Sequence, residues 1–308
     1  MADFMDIVNL SMDMAENAKK PFYESTPIKR KRRTKVEIKA LQSSLYGILS
    51  EDHPQTVRGV FYQATVLGVV DKLENEYKTV QRNPADMRKN GYIPFIWIAD
   101  STRWMRKPRT FTGLEAALRE NWKFYRRSIW YDQFDYVEIW MEKDALAGVL
   151  YPITSKWDVP LMVTRGYSSL SFLHESAEYI NSLNKPTYIY CMGDYDPSGV
   201  DISRNIEKGL RQFAPDAEIH FKRIAVTPAQ ITKWDLPTRP TKKSDSRSKN
   251  FKGESVELDA IPAKKLRELV TECIEQHINS ETLHRTMMAE DAEKHTLENI
   301  MCTYRGVM

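Results

Sequence analysis

The stretch that decides the fold runs from Val137 to Phe213 and contains VEIWMEKD at 137–144, VPLMVTRG at 159–166 and TYIYCMGDYDPSG at 187–199. Each segment opens with a short apolar run typical of a β-strand, and a helical pattern follows each one, so the predicted order is β-α-β-α-β-α. Such alternation favours a parallel sheet covered by helices, which binds ligands beyond the carboxyl ends of its strands. The sequence therefore predicts an α/β fold with a site at one edge of the sheet.

Three carboxylates fall at that predicted edge. Glu142 follows the first strand, and Asp194 and Asp196 lie two residues apart in the turn after a later strand. Clustered carboxylates repel one another, so their pKa values rise unless a cation neutralises them. Oxygen ligands of this kind suit Mg²⁺ or Mn²⁺. The turn also suits an ordinary capped helix with Pro197 in its first position, but Glu142 at the end of another strand favours a metal site.

The segments MEKDA at 141–145 and GDYDPSG at 193–199 resemble the motifs of a Toprim domain, the metal-binding fold of topoisomerases, primases and some nucleases. That family has a Glu after its first strand and an Asp-x-Asp after a later one. The resemblance implies a Toprim domain with a carboxy-terminal extension over residues 137–280. It also implies that Glu142, Asp194 and Asp196 bind the metal.

Length and composition leave room for a second domain. The chain has 308 residues, of which 42% are hydrophobic and 28% are charged. No apolar run is long enough to span a membrane, and the first residues lack the pattern of a signal peptide, so we expect a cytoplasmic, DNA-associated protein with no membrane partner. Three cysteines without metal-ligand spacing indicate a reducing compartment and no zinc site. A net charge of +3 is too small to indicate a nucleic-acid partner by itself.

The sequence pattern of residues 36–112 predicts three helices followed by a basic two-stranded wing. Apolar spacing predicts helices from Val36 to Leu49, from an amino-terminal cap at Thr56, and from Tyr77 to Asn90. The runs 93–99 and 103–109 predict the wing. Three helices and a wing describe a winged helix, whose third helix enters the major groove of DNA.

The basic residues of this region are the candidates for DNA contact, although the run at 29–35 also suits a solvated linker. The candidates are Lys31, Arg32 and Arg33 in that run, Lys78, Arg82, Arg88 and Lys89 on the third helix, and Arg106 and Lys107 in the wing.

The segment TVRGVFY at 56–62 resembles the motif of the topoisomerase VI A subunit and of its relative, the meiotic double-strand-break transesterase. The resemblance makes Tyr62 the nucleophile and Arg58, one helical turn earlier, the group beside the attacked phosphate. The family usually has an acid after the Arg and often a Tyr before the nucleophile, whereas this chain has Gly59 and Phe61. Taken alone, an aromatic pair on a helix is more often part of a core.

The resemblance implies DNA cleavage by transesterification, in which the tyrosine oxygen attacks phosphorus and leaves a 5′-phosphotyrosyl link and a free 3′-hydroxyl. Arg58 and a metal held by Glu142 and Asp194 would stabilise the phosphate charge, with Asp196 holding a second metal or orienting the first. Lys143 suits either a phosphate contact or a solvated side chain. In relatives the tyrosine of one subunit works with the metal of the other, which implies a homodimer on double-stranded DNA.

The chain has no Gly-rich phosphate loop, so we expect no ATP site on it. Either a separate ATPase B-type subunit supplies gating, or the protein is a short A-like form that works alone. Two other functions stay open. One is a hydrolytic Toprim nuclease in which Tyr62 is structural, and the other is a catalytically silent DNA-binding dimer.

The remaining segments complete the predicted organisation. Residues 1–35 are predicted to be an arm with a basic linker, 113–136 a connecting helix and 281–308 a helical tail. Strands are predicted at 218–226 and 256–260. Between them lies a basic loop whose Lys242, Lys243, Arg247 and Lys249 suit DNA contact or solvent exposure equally.

Overall fold

A computed structural model describes residues 33–99, 107–241, 251 and 253–305 of the chain. The chain divides into two compact units, residues 1–41 and 42–308. The sheet and the site discussed below belong to the second unit. Several predicted DNA contacts lie outside the described residues, namely Lys31, Arg32, Arg106, Lys242, Lys243, Arg247 and Lys249.

The amino-terminal helices form where the apolar spacing predicts them. They are α1 (Lys35–Glu51), α2 (Val57–Val66) and α3 (Glu74–Lys89). Leu45 and Leu49, one helical turn apart on α1, are fully buried. Thr56 caps α2, because its side chain accepts a hydrogen bond from the backbone N–H of Gly59 at 2.9 Å.

The predicted first strand of the wing is wrong. Residues Phe95–Trp97 form a 3₁₀ turn that follows Pro94, and Ile98 makes only an isolated parallel bridge to Gln55. Proline fixes its own backbone and donates no hydrogen bond, which disfavours regular strand pairing at this position. The second predicted run of the wing falls largely on residues 100–106, which are not described.

Four parallel strands make the central sheet in the order β2-β1-β3-β4. They are β1 (Tyr136–Met141), β2 (Leu161–Val163), β3 (Thr187–Met192) and β4 (Ile219–Ala225). The helices between and before them are α4 (Leu114–Phe124), α5 (Ala147–Lys156), α6 (Leu170–Leu183) and α7 (Pro197–Phe213). The predicted α/β alternation is confirmed, and all six residues of β1 are buried.

The main core lies where α6 and α7 pack on the sheet. Trp140 of β1 and Ile189 of β3 are fully buried against apolar positions of the two helices. The helical members of this core are Leu173, Ala177 and Ile180 on α6, and Ile202, Ile206 and Leu210 on α7. Their spacing of three and four residues explains why both helices pack on the sheet.

Three helices follow β4 in the described carboxy-terminal residues. They are α8 (Pro228–Lys233), α9 (Ala263–Glu275) and α10 (Ser280–Arg305). The predicted strand at 256–260 is wrong, because Ser255 and Val256 make isolated bridges and Leu258–Ala260 form a 3₁₀ turn. The bridge from Val256 to Tyr195 carries the following residues to the edge of the sheet. Within the described ranges no helix is both long and apolar enough to cross a lipid bilayer.

A buried carboxyl in β1 predicts pH-dependent stability. Glu138 is 2% exposed and accepts a hydrogen bond from Nε1 of Trp140 at 2.7 Å. Burial raises its pKa from 4.5 to about 7. The carboxyl of Glu138 therefore loses its proton at lower pH in the unfolded chain than in the folded chain. The free energy of unfolding should fall by up to about 3 kcal/mol as the pH rises from 4.5 to about 7.

Urea unfolding of wild type and Glu138→Gln between pH 4 and 8 checks this prediction. The decline should be smaller in the variant by about this amount, while the exposed control Glu175→Gln should keep the wild-type decline. Parallel pH profiles for wild type and Glu138→Gln would contradict the assignment.

Candidate active site at the carboxyl edge of the sheet

The sheet has its topological switch point between β1 and β3, since the chain leaves β1 toward β2 and returns to the other side of β1. Crevices at such points are the usual ligand sites of parallel sheets. Glu142 directly follows β1, and Asp194 follows β3 by two residues. A Cβ atom placed on Gly193 would lie 3.2 Å from Oε2 of Glu142, so the two strand ends lie side by side. Glu142 and Asp194 therefore lie at the same edge of the sheet.

The turn after β3 is a helix cap as well as part of the acidic edge. Oδ1 of Asp196 accepts the backbone N–H of Gly199 at 2.8 Å, and Pro197 is the first residue of α7. Oδ2 of Asp196 lies 3.5 Å from Nη2 of Arg239. One oxygen of Asp196 is thus committed to the helix, and the other faces a guanidinium.

Gly199 is required because α7 begins against the backbone of the turn. A Cβ atom at this position would overlap the carbonyl oxygen of Asp194 and lie 3.0 Å from its carbonyl carbon. We expect Gly199→Ala to lower the free energy of unfolding by about 1–3 kcal/mol, despite the better helix propensity of Ala. Because the backbone of Asp194 must shift, the variant should also lose any activity that uses this carboxylate.

Gly209→Ala on the same helix is the matched control, measured by urea unfolding. Its Cβ would meet Cδ1 of Leu173 at 2.7 Å, and that atom is the end of a side chain that can rotate away. Gly199→Ala should therefore unfold at a clearly lower urea concentration than Gly209→Ala. Equal midpoints would show that the turn relaxes freely.

Arg223 of β4 holds the same turn from behind. Its Nη2 donates to the carbonyl oxygens of Gly193 at 2.7 Å and Asp194 at 2.6 Å, and its Nη1 donates to that of Gly199 at 3.0 Å. Burial lowers the pKa of this guanidinium, and the nearby carboxylates oppose that effect. Arg223 is a positioning residue that the sequence analysis missed, because a single Arg within a strand pattern carries no distinguishing signal.

Lys143 lies among three carboxylates. Its Nζ is 2.8 Å from Oδ2 of Asp259, 3.0 Å from Oδ1 of Asp194 and 3.5 Å from Oε2 of Glu257. Burial alone would lower its pKa, but the three negative charges outweigh burial and hold the pKa above its ordinary value. The solvated Lys143 considered from sequence is therefore wrong, since the side chain is largely buried and paired.

Glu257 and Asp259 tie α2 to the edge of the sheet. Oε2 of Glu257 accepts from Nη1 of Arg58 at 2.6 Å, and Oε1 accepts from Nη1 of Arg239 at 2.8 Å. Oδ1 of Asp259 accepts from the hydroxyl of Thr56 at 2.7 Å. Burial would raise the pKa of Glu257, but Lys143, Arg58 and Arg239 hold it below its ordinary value.

Sequence reasoning missed both acids because it assigned them to a strand. The only available signal was the pair of acids flanking Leu258, and that alternation also suits a half-buried strand.

Among the described residues Glu142 makes no ion pair, in contrast to Asp194, Asp196 and Asp259. Its Oε2 is buried and has no hydrogen-bond partner among the described residues. Burial raises its pKa, and the charge of Asp194 raises it further, while Lys143 opposes the rise. A buried carboxylate oxygen without a partner is costly, and a cation would remove that cost.

The residues fit a hard divalent cation by the chemistry of their donors. Glu142, Asp194 and Asp196 supply carboxylate oxygens, which Mg²⁺ and Mn²⁺ prefer. In the described part of the chain, however, no three His, Cys, Asp or Glu side chains are already grouped to hold a metal. The ammonium of Lys143 lies 3.0 Å from Oδ1 of Asp194, so one oxygen of that carboxylate is already paired.

The predicted nucleophile is buried. Tyr62 is 6% exposed, and burial, followed by the negative charge of Glu257, raises its pKa to about 12. Nζ of Lys72 lies 5.6 Å from the centroid of its ring. Arg58 is on the same helix, but its guanidinium is paired with Glu257 and lies 4.8 Å from the ring centroid of Tyr77.

Four of the described candidates for DNA contact lie on α3, and they differ in solvent exposure. Lys78, Arg82 and Lys89 are exposed, whereas Arg88 is half-buried. Arg88 lines a cavity of about 720 Å³ between α3 and the edge of the sheet, and Tyr62 is not among the residues that line it. Lys107 is exposed, and Arg33 is half-buried just before α1.

A scan against protein-family models and a search of curated proteins found no match to this chain.

Proposed function

We propose that this protein cleaves DNA strands in a metal-dependent reaction, as a winged-helix and Toprim enzyme of the topoisomerase VI A type. The proposal assigns residues 36–112 to the winged helix and 137–280 to the Toprim domain. The observation that carries it is the convergence of Glu142 and Asp194 at the switch point of the sheet, where a buried oxygen of Glu142 has no hydrogen-bond partner among the described residues. A parallel sheet with this acidic edge suits phosphodiester chemistry on a bound cation.

The second support is the link between this edge and the helix that carries the proposed nucleophile. At the start of α2, Thr56 hydrogen-bonds to Asp259 and Arg58 to Glu257. These two bonds hold α2 against the residues that border Lys143. A guanidinium at this position would stabilise charge that develops on a phosphate.

In the proposed reaction the hydroxyl oxygen of Tyr62 bonds to phosphorus as the bond from phosphorus to the 3′-oxygen breaks. Tyr62 gives up its proton, and the departing 3′-oxygen gains one. Mg²⁺ or Mn²⁺, when bound by Glu142, Asp194 and Asp196, supplies positive charge to the phosphate oxygens. Arg58 supplies further charge from the protein, and Arg223 keeps the turn that carries Asp194 in place.

Hydrolysis is the second candidate, and the surroundings of Tyr62 favour it. A tyrosine that is 6% exposed with a pKa raised to about 12 is a poor nucleophile near neutral pH. In this version water attacks phosphorus at the same carboxylate edge, and Tyr62 is a core residue.

Incubation with supercoiled plasmid and Mg²⁺ or Mn²⁺, stopped with denaturant, tests the proposal. Half of each sample is digested with protease before electrophoresis. Transesterification predicts protein attached to the 5′ ends and complete loss of that attachment in Tyr62→Phe, with the exposed Tyr151→Phe as matched control. Cleavage that survives in Tyr62→Phe and leaves protein-free ends would identify hydrolysis. No cleavage with either metal would overturn both versions for the chain acting without a partner subunit.

A further inference from the structure

The cavity beside the carboxylates has one wall made by a single face of α3. Tyr77, Gln81, Ala85 and Arg88 line it, and their spacing of three and four residues places them on one side of the helix. The rest of the lining includes Lys143 and four acids, namely Asp144, Asp194, Glu257 and Asp259. Each acid has a basic partner, since Lys143 pairs with Asp194 and Asp259, Arg58 with Glu257, and Arg165 with Asp144.

Arg88 is set apart from the other basic residues of α3. Its Nε is buried and has no hydrogen-bond partner among the described residues. Its guanidinium lies 5.4 Å from the ring centroid of Phe95. An unsatisfied buried donor costs about 1–3 kcal/mol. Because Nε has almost no exposed surface, a ligand in the cavity would meet the Nη groups of Arg88 instead.

Tyr77 supplies an aromatic surface in the same cavity. Its ring packs edge-on against Phe61, with centroids 5.4 Å apart, and the guanidinium of Arg58 lies 4.8 Å from its centroid. Aromatic rings beside arginines are the usual means of holding unstacked bases and their phosphates.

The size of the cavity limits what it can hold. Its volume of about 720 Å³ falls within the range of small-molecule pockets and is far too small for a segment of duplex DNA. A single nucleotide, unstacked from its neighbours, fits both the volume and the chemistry of the walls.

We propose that this cavity binds one unpaired nucleotide of the DNA substrate, with its base against Tyr77 and a phosphate at Arg58 and Arg88. This inference takes from the proposed function that the ligand is DNA. It adds that the DNA strands separate locally beside the carboxylates. The exposed Lys78, Arg82 and Lys89 lie outside the cavity and remain available to a duplex backbone.

Fluorescence anisotropy of the full chain without divalent metal tests the inference, using a short labelled single strand and a duplex of the same sequence. Arg88→Gln and Tyr77→Leu should each weaken single-strand binding by about tenfold, as expected for loss of one stacked base or one phosphate contact. Duplex binding should change less. The matched control Arg211→Gln removes a surface guanidinium at the far end of α7 and should leave both affinities unchanged.

Competition on the wild-type protein avoids any folding defect of the variants. A deoxynucleoside monophosphate should displace the labelled single strand at concentrations where inorganic phosphate and the bare deoxynucleoside do not. Failure of the monophosphate to compete, or unchanged single-strand affinity in correctly folded Arg88→Gln and Tyr77→Leu, would overturn the inference.

The assay separates this failure from failure of the proposed function. Duplex binding and metal-dependent cleavage with no effect of the cavity variants would reject the nucleotide pocket alone. Absence of binding to either form of DNA would reject the proposed function and the pocket together.

Discussion

Replacing Glu142 by Gln is expected to abolish strand cleavage while leaving the protein at least as stable as the wild type. Cleavage should fall by roughly 10³-fold, because the amide cannot supply the negative charge that would hold a cation at the edge of the sheet. Stability should not fall, because the wild-type carboxylate has a raised pKa and a buried oxygen that finds no hydrogen-bond partner in the described part of the chain. Removing such a charge relieves a cost of the folded state.

The sign of the pH effect follows from the raised pKa of Glu142. The unfolded chain ionises this group at lower pH than the folded chain does, so the wild type loses stability as pH rises above the ordinary range of a glutamate. The stability advantage of Glu142→Gln should therefore grow with pH. Urea unfolding at several pH values, together with the plasmid assay, measures both effects.

Glu175→Gln is the matched control, since Glu175 is exposed on α6 and should change neither cleavage nor stability. A Glu142→Gln protein that cleaves as fast as the wild type would remove this carboxylate from the reaction. A variant that unfolds more easily than the wild type would instead make Glu142 a structural residue.

Replacing the adjacent Lys143 by Met is expected to have the opposite effect on stability, lowering the free energy of unfolding by about 3–5 kcal/mol. The side chain is 19% exposed and holds Asp194, Asp259 and Glu257 together. Without the ammonium these carboxylates repel one another in a partly dehydrated site. The loss should shrink as pH falls, because protonation removes the charges that Lys143 neutralises.

Urea unfolding of Lys143→Met beside Lys208→Met measures this loss, since Lys208 is exposed on α7 and its replacement should cost little. Adding Asp259→Asn to Lys143→Met should restore part of the stability, because one uncompensated charge is removed. A loss below about 1 kcal/mol in Lys143→Met would show that the carboxylates find other partners, as exposed ion pairs do.

The two neighbours differ because of the partners that the tertiary structure gives them. Glu142 and Lys143 are both charged residues that follow the same strand. Their local sequence does not predict which of the two side chains forms ion pairs. Lys143 reaches Asp259, 116 positions away, whereas Oε2 of Glu142 finds no partner in the described part of the chain.

The helices of the amino-terminal region show how far sequence patterns reach. Apolar spacing predicts α1, α2 and α3, because one buried stripe repeats along each helix. The same reasoning misassigned residues 93–99 and 256–260 to strands. In both segments the backbone forms only isolated bridges to distant residues. The hydrophobic periodicity of the sequence does not show which distant residues these are.

By itself the sequence determined the β-α alternation and the placement of Glu142, Asp194 and Asp196 just after strands β1 and β3. These features follow from short-range patterns, since parallel strands joined by helices must end on the same side of the sheet. Only the tertiary structure decided that Lys143, Glu257 and Asp259 form a charged cluster with Arg58, that Arg223 holds the turn, and that Arg88 faces a cavity rather than solvent. The contact between Thr56 and Asp259, 203 positions apart, depends on how the folded elements pack against one another. Such long-range packing produces no periodic pattern in the sequence.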